Sequence, residues 1–526
     1  MAKTAKKPAK VKKAAKTAKP APKRAAASAA VKKPAPKAKP HPTLSAKAAA
    51  AKPRLPKGPV WQWSAVDTAA AIRSGAVSSV EVTEAHIARM AEVNPKLNAV
   101  VVDLSEDALK AARAADKSRN KTGLLHGVPV TIKDLVFVAG VPAYAGSPMN
   151  KSFVPDADAA VVSALKAAGA IITCKTTTCE SGYKLTADSP VTGLTRNPWN
   201  PAHTSGGSSG GAAAAVASGC GPIAIGTDGV GSIRVPSSFC GVFGLKPTFG
   251  LVPRSPGFAP PSWASLAHTG PITRTVADAA LALETIAIHD LRDAASLAVA
   301  QRRFDASPRP LTGLRIGASA DLGYAAVAPD VRAAFAKAVA VLEDCGARIS
   351  GDHPGIDSRI LERTLKPIAF IEQAAAVAHK TGDELADCDT DYRDVIAAGR
   401  SYAGVDYVEA GYRRTQMRAA FVDLFSRVDA LVTPTVAVTA FGAGQLGVAS
   451  IDGTPVDPHL GWSPFSWPIN LAGLPAATVP CGFDRDGLPI GLQIIAPWLD
   501  EPTIFKIAAA FEEAQPWAGR WPEMRR

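Results

Sequence analysis

The segment TSGGSSGGAAAAVASGCGPIAIGTDGVGSIRVPSSFCGVFGLKPT, residues 204–248, crowds glycines and serines around a run of small residues in a way that core-building alone does not need. Glycines beside Ser208 and Ser232 let the chain turn tightly and bring backbone N–H groups close to a bound group. Between the two serines, the small-residue run from Ser209 reads as a helix and residues 222–226 as a buried strand. Two turn serines on such a frame are what acyl-transfer chemistry requires.

Outward from this segment the same alternation continues. Ser78 and Glu81 form a capping box ahead of apolar positions at helical spacing (Val82, Ile87, Met90), and residues 104–115 are helical. Residues 127–135, GVPVTIKDL, read as an apolar strand that ends in a lysine. A helix over 157–168 and a strand over 170–174 follow. Downstream, strands are predicted at 314–318, 430–434, 476–480 and 490–495, with helices at 329–344, 357–381 and 405–425. Strands alternating with helices predict an α/β layer structure, here one large domain whose central sheet is covered by helices. The motif-free helical region between about 345 and 415 is expected to cover the site.

The chain has 526 residues, 47% of them apolar and 20% charged, which places it among globular proteins. Its formal charge of +13 is local. Residues 1–58 hold 18 of the 59 Lys and Arg and no Asp or Glu, so the remainder has 41 basic against 46 acidic side chains. This Lys/Ala/Pro-rich tail lacks the apolar surface that offsets the entropy of folding and is expected to be disordered. Its charge suits weak contact with nucleic acid or another anionic surface. The globular body is expected over 59–522. Seven scattered cysteines, with no CxxC pair, point to free thiols in a reducing, cytoplasmic setting and to no zinc site. No secretory h-region and no membrane-spanning run of about 18 apolar residues is present.

Three serine chemistries fit fragments of the chain. Gly206–Gly210 matches GxSxG with Ser208 as nucleophile, but NPWNPAHT precedes it, and a strand through two prolines is improbable. Ser181–Lys184 matches SxxK and Lys380–Gly382 matches KTG, yet no SDN lies between them. The third uses both glycine-flanked serines and Lys133. A lysine on an apolar strand is desolvated, and a neutral amine is a base for a serine that is otherwise a poor nucleophile. An ion pair of Lys133 with Asp134 or a more distant carboxylate is the competing reading.

The ordered set GVPVTIKD, HTSGGSSGGAAAAVASG, GTDGVGSIRVPSSFCGVFGLKPT, GPITRTVADA, and NLAGLPAATVPCGF followed by GLPIGLQII resembles the amidase signature family over roughly residues 60–515. The resemblance implies a central mixed, twisted sheet covered by helices on both faces, and hydrolysis of an amide to a carboxylate and ammonia or an amine. It implies a Lys-Ser-Ser triad with Ser232 as nucleophile, Ser208 as a proton relay on a cis peptide, and Lys133 as general base. Asp228 and Arg234 would form a structural pair. No metal or organic cofactor is implied. The partner is a small amide, and the chain is expected to be a monomer or homodimer. A second reading within the family is the glutaminase component of a tRNA-dependent amidotransferase; another is a nucleic-acid-associated protein with an amidase-like body.

The N–H groups of Gly229, Val230, Gly231 and Ser232 are expected to receive the oxyanion. Val230 stands where relatives commonly have glycine; a β-branched residue tolerates positive φ badly, so an ordinary φ is expected there. Ser209 is expected to cap the helix that follows. Cys179, Glu180, Tyr144 and Trp263 are candidates for the substrate cavity, while His203 and His268 read as structural.

Overall fold

Val130, Ile132, Ile223 and Ile225 are wholly buried, and their strands lie side by side in parallel register, Val130 against Ile223 and Ile132 against Ile225. Strands apolar on successive positions belong in the middle of a sheet with both faces covered. The computed structural model describes residues 55–258, 265–300 and 302–523. All but the last four residues of the basic tail 1–58, and Trp263, lie outside these.

The sheet has eleven strands. In chain order they are β1 (Val100–Asp103), β2 (Pro129–Lys133), β3 (Ile171–Thr176), β4 (Ile223–Asp228), β5 (Phe243–Lys246), β6 (His268–Thr273), β7 (Arg315–Ala318), β8 (Arg348–Ser350), β9 (Ala430–Pro434), β10 (Ala476–Phe483) and β11 (Pro489–Ile495). Their spatial order is β1-β3-β2-β4-β6-β5-β10-β11-β9-β7-β8. The pairs β3/β2, β2/β4, β9/β7 and β7/β8 are parallel and the rest antiparallel. The result is a single large α/β domain with a mixed sheet flanked by helices.

The helix Gly210–Ser218 is buried along its whole length, as its small residues allow. A Cβ at Gly211 would overlap Thr177 and the Ala99 carbonyl, so glycine there sets how closely this helix approaches its neighbours. The capping box of Ser78 and Glu81 forms as its spacing predicts, opening the helix Ser79–Leu97.

The predicted helix over 357–381 is shorter and broken. A π-helical turn, Leu361–Leu365, leads into Lys366–Ala376. Thr381 does not end that helix but starts another, Gly382–Ala386, through a capping box with Glu384. The helices Lys366–Ala376 and Thr390–Ser401 pack against each other. Among the described residues, no helix is long and apolar enough to cross a membrane, and all seven cysteines are unpaired.

Candidate active site

Parallel neighbours end at the same edge of a sheet, and open α/β sheets bind ligands outside the carboxyl ends of their strands. Lys133 ends β2 and Asp228 ends β4, so the register that pairs these strands delivers both residues to one edge. The chain then turns from Asp228 into the helix Arg234–Cys240, which places Ser232 on the intervening loop. Ser208 and Ser209 precede the buried helix Gly210–Ser218, and the Gly207–Ser208 peptide is cis.

Lys133 is fully buried. Its Nζ lies 2.7 Å from Ser208 Oγ, 2.9 Å from Ser209 Oγ and 2.9 Å from Thr227 Oγ1. No carboxylate of the described residues forms an ion pair with it; Asp134 is engaged instead with Lys175 at 3.0 Å. Burial pushes the Lys133 amine down to about pKa 7.

Proton counting orders these contacts. The Ser209 hydroxyl donates to the Thr227 carbonyl at 3.0 Å, so toward Lys133 it accepts. A neutral amine has two N–H bonds and one lone pair. With N–H groups directed at Ser209 and Thr227, the lone pair is left for Ser208 O–H. Ser209 therefore occupies the N-cap position, but its hydroxyl makes no cap bond to the helix. The expected cap gives way because Lys133 and β4 compete for the same oxygen: the Thr227 N–H also donates to it, at 3.2 Å.

Ser232 joins this group through its backbone, its carbonyl accepting the Ser209 N–H at 3.1 Å. Among the described residues its hydroxyl has no hydrogen-bond partner, and together with Ser208 it lines a cavity of about 450 Å³. Most of that cavity is apolar, lined by Leu135, Met149 and Phe153 together with Phe370, Val377 and Tyr392 from the helical cover. Ser181, Gly182 and Tyr183 line it, whereas Cys179, Glu180 and Tyr144, expected there, do not. Glu180 is turned into the protein, accepting from Ser147 Oγ and the Asp389 N–H.

Asp228 and Arg234 are both fully buried and joined by two bonds of 3.0 Å, from Nε to Oδ2 and from Nη2 to Oδ1. Burial opposes ionisation of this carboxyl, but the guanidinium overcomes it and holds the group well below the usual carboxylate range. The Asn470 amide also donates to Asp228, at 2.8 Å. Val230 has an ordinary φ, and only Gly231 lies at positive φ, +133°. The Gly231 N–H, expected among the oxyanion donors, donates instead to Asp228 Oδ1 at 2.8 Å. The N–H groups of Gly229, Val230 and Ser232 have no acceptor among the described residues.

The other candidates are placed elsewhere. Lys184 of the SxxK match is held by Asp188 at 2.6 Å and Asp389 at 2.7 Å, which makes it a poor base. His268 Nδ1 faces the Leu266 and Asp228 carbonyls, and burial lowers its basicity further. His203 makes no bond to either serine. Sequence reasoning missed Thr227, whose only signal is its place inside GTDG, and Ser466, which has none. Among the described residues no cluster of His, Cys, Asp and Glu could hold a metal ion.

A family model described as Amidase matches residues 81–505. The chain is similar to an indoleacetamide hydrolase of Bradyrhizobium diazoefficiens, 40% identical over 86% of this chain and 87% of that protein. It is also similar to the A-type subunit of the glutamyl-tRNA(Gln) amidotransferase of Thermosynechococcus vestitus, 38% identical over 85% of this chain and 97% of the relative. Among solved structures, a bacterial aryl acylamidase of the amidase signature family superposes with a TM-score of 0.81 at 30% identity, covering 87% of this chain and 99% of the other.

Proposed function

We propose, given that this chain belongs to the amidase family and hydrolyses carbon–nitrogen amide bonds, that it does so through an acyl-enzyme on Ser232, with Ser208 as proton relay and Lys133 as base. The observation that carries the reading is the contact at 2.7 Å between the Ser208 hydroxyl and a buried amine that has no carboxylate partner among the described residues.

The neutral Lys133 amine takes the Ser208 proton while Ser208 takes the proton of Ser232. Ser232 Oγ bonds to the amide carbon, and the carbonyl π electrons move to oxygen. As the tetrahedral intermediate collapses, the C–N bond breaks and the proton returns through Ser208 to the leaving nitrogen. Water then attacks the ester, gives its proton to the same relay, and releases the carboxylate while Ser232 is restored. The apolar lining favours an uncharged amide carrying an aromatic or alkyl group, whose burial stabilises the complex by roughly 25 cal/mol per Å² removed from water.

Fluorophosphonate labelling tests the assignment. Ser232→Ala is expected to abolish labelling and Ser208→Ala to slow it. Labelling that persists without Ser232 but vanishes without Ser208 would transfer the nucleophile to the GxSxG match. The likeness to an amidotransferase component supports a second reading, a glutaminase that needs partner subunits. Ammonia released from simple aryl and alkyl amides by the chain alone excludes it; release only with partners and a charged tRNA would establish it.

A further inference from the structure

The peptide unit between Val230 and Gly231 is gripped at both ends. Its carbonyl accepts the Ser466 hydroxyl at 2.6 Å, and its N–H donates to Asp228 Oδ1 at 2.8 Å. Ser466 is fully buried and immediately precedes the helix Trp467–Ala472, far along the chain from the loop it holds. Its hydroxyl has a single proton. The Ser463 carbonyl also lies near it, at 3.1 Å, and the shorter contact to Val230 takes the larger share.

The Ser466 carbonyl accepts Arg234 Nη1 at 2.9 Å, and Arg234 is the partner of Asp228. Hydrogen bonds therefore close a ring through Asp228, Arg234, Ser466 and the Val230–Gly231 peptide. Only glycine fits at the centre of this ring, since a Cβ on Gly231 would come within 2.8 Å of Ser466 Cβ.

A peptide fixed at both ends cannot rotate, and its own N–H is used up. The peptides on either side keep N–H groups, those of Val230 and Ser232, with no acceptor among the described residues, and both residues line the cavity. We propose that Ser466 is a positioning residue for amide hydrolysis: by holding the Val230 carbonyl it keeps the Gly231 N–H out of the site and the Val230 and Ser232 N–H groups directed at the oxyanion. This rests on Ser232 being the nucleophile. It also accounts for a β-branched residue at position 230, because the ring fixes the loop without positive φ there. Donors fixed before the reaction stabilise charge that appears only in the transition state.

The test compares Ser466→Ala, which removes the donor, with Ser466→Cys, which keeps a side chain of similar size but donates weakly. Each full-length variant is assayed on an anilide and with a trifluoromethyl ketone, a probe that becomes an oxyanion when a serine adds to it. In Ser466→Ala, kcat should fall about 10²-fold, the size expected for a lost oxyanion donor. KM should stay within about threefold, and inhibition by the ketone should weaken in parallel with kcat/KM. Ser466→Cys should fall between wild type and the alanine variant, and the pH midpoint set by Lys133 should not move. A loss of kcat with ketone affinity unchanged would overturn the proposal, as would wild-type kcat in Ser466→Ala. Should Ser466→Ala fail to fold, the Ser466→Cys ratio of ketone affinity to KM decides by the same criterion. A wrong nucleophile is recognised separately, by labelling that survives in Ser232→Ala.

Discussion

Replacing Lys133 with methionine should remove activity and raise stability together, because both effects come from one buried amine. Its pKa is about 7 against an ordinary 10.5. A lysine at the ordinary value would be neutral in about one molecule in a few thousand at pH 7, whereas here about half are. The rate constant kcat/KM should therefore rise about tenfold per pH unit below pH 7 and level off above it. Methionine cannot take the Ser208 proton, and the loss should reach about 10²- to 10⁴-fold, the usual contribution of a general base. The stability effect has a definite sign. Between pH 7 and 10.5 the unfolded chain holds a proton on this lysine that the folded chain has released, so stability rises with pH through that window. At pH 7, where half of the folded molecules still hold the proton, the difference of about 3.5 units opposes folding by about 4 kcal/mol. Methionine removes this cost but leaves the Ser208 and Thr227 hydroxyls short of a partner, at about 1–3 kcal/mol. The variant should thus be more stable by about 2 kcal/mol at pH 7, with the gain falling as pH rises and turning into a small loss by pH 10. A pH series of kcat/KM and urea unfolding at pH 7 and 10 measure both. A rate midpoint near 10, or a methionine variant less stable at pH 7 than at pH 10 relative to wild type, would refute the assignment of Lys133 as a desolvated base.

Two further perturbations probe the frame and the cavity. Asp228→Asn leaves the Arg234 guanidinium buried without its charge partner and should cost about 3–5 kcal/mol in urea unfolding. The Asp228 pKa is depressed on folding, so the stability of the pair should be present above about pH 4 and be lost only as pH falls well below that; an unchanged unfolding midpoint in the variant would remove the pair from the frame. Phe370→Ala takes an aromatic wall from the cavity, and losing about 1.5–3 kcal/mol of apolar contact should lower kcat/KM for an anilide about 10- to 100-fold. Acetamide hydrolysis should hardly change, and an unchanged anilide-to-acetamide ratio would show that the helical cover does not touch substrate.

Legibility in the sequence follows the range of the interaction. β2 and β9 are readable as apolar runs between turn signals, and Lys133 stands out because an amine on such a run is costly. The strands at Phe243–Lys246 and His268–Thr273 carry no such signal: the first has only four residues, one of them Gly244, and the second contains Gly270 and Pro271, so their pairing is decided by neighbours rather than by local pattern; Val100–Asp103 has three valines but is only four residues long. Ser209 carries a sound local signal for capping. It is overridden because a buried amine brought from β2 and the Thr227 N–H both occupy the same hydroxyl oxygen. The same limit explains Ser466. Nothing between residues 460 and 470 marks a serine that holds the loop before Ser232, since the contact spans 236 positions of chain.

The two ends of the Val230–Gly231 peptide also explain why the loop tolerates a residue that sequence reasoning flags as awkward. Positive φ is required only where the chain reverses under Ser466, and that position is Gly231. Val230 lies one residue earlier, in ordinary backbone, with its carbonyl turned to Ser466 and its side chain at the cavity wall. The β-branch therefore carries no backbone strain, and Val230 contributes to the wall of the cavity beside Ser232.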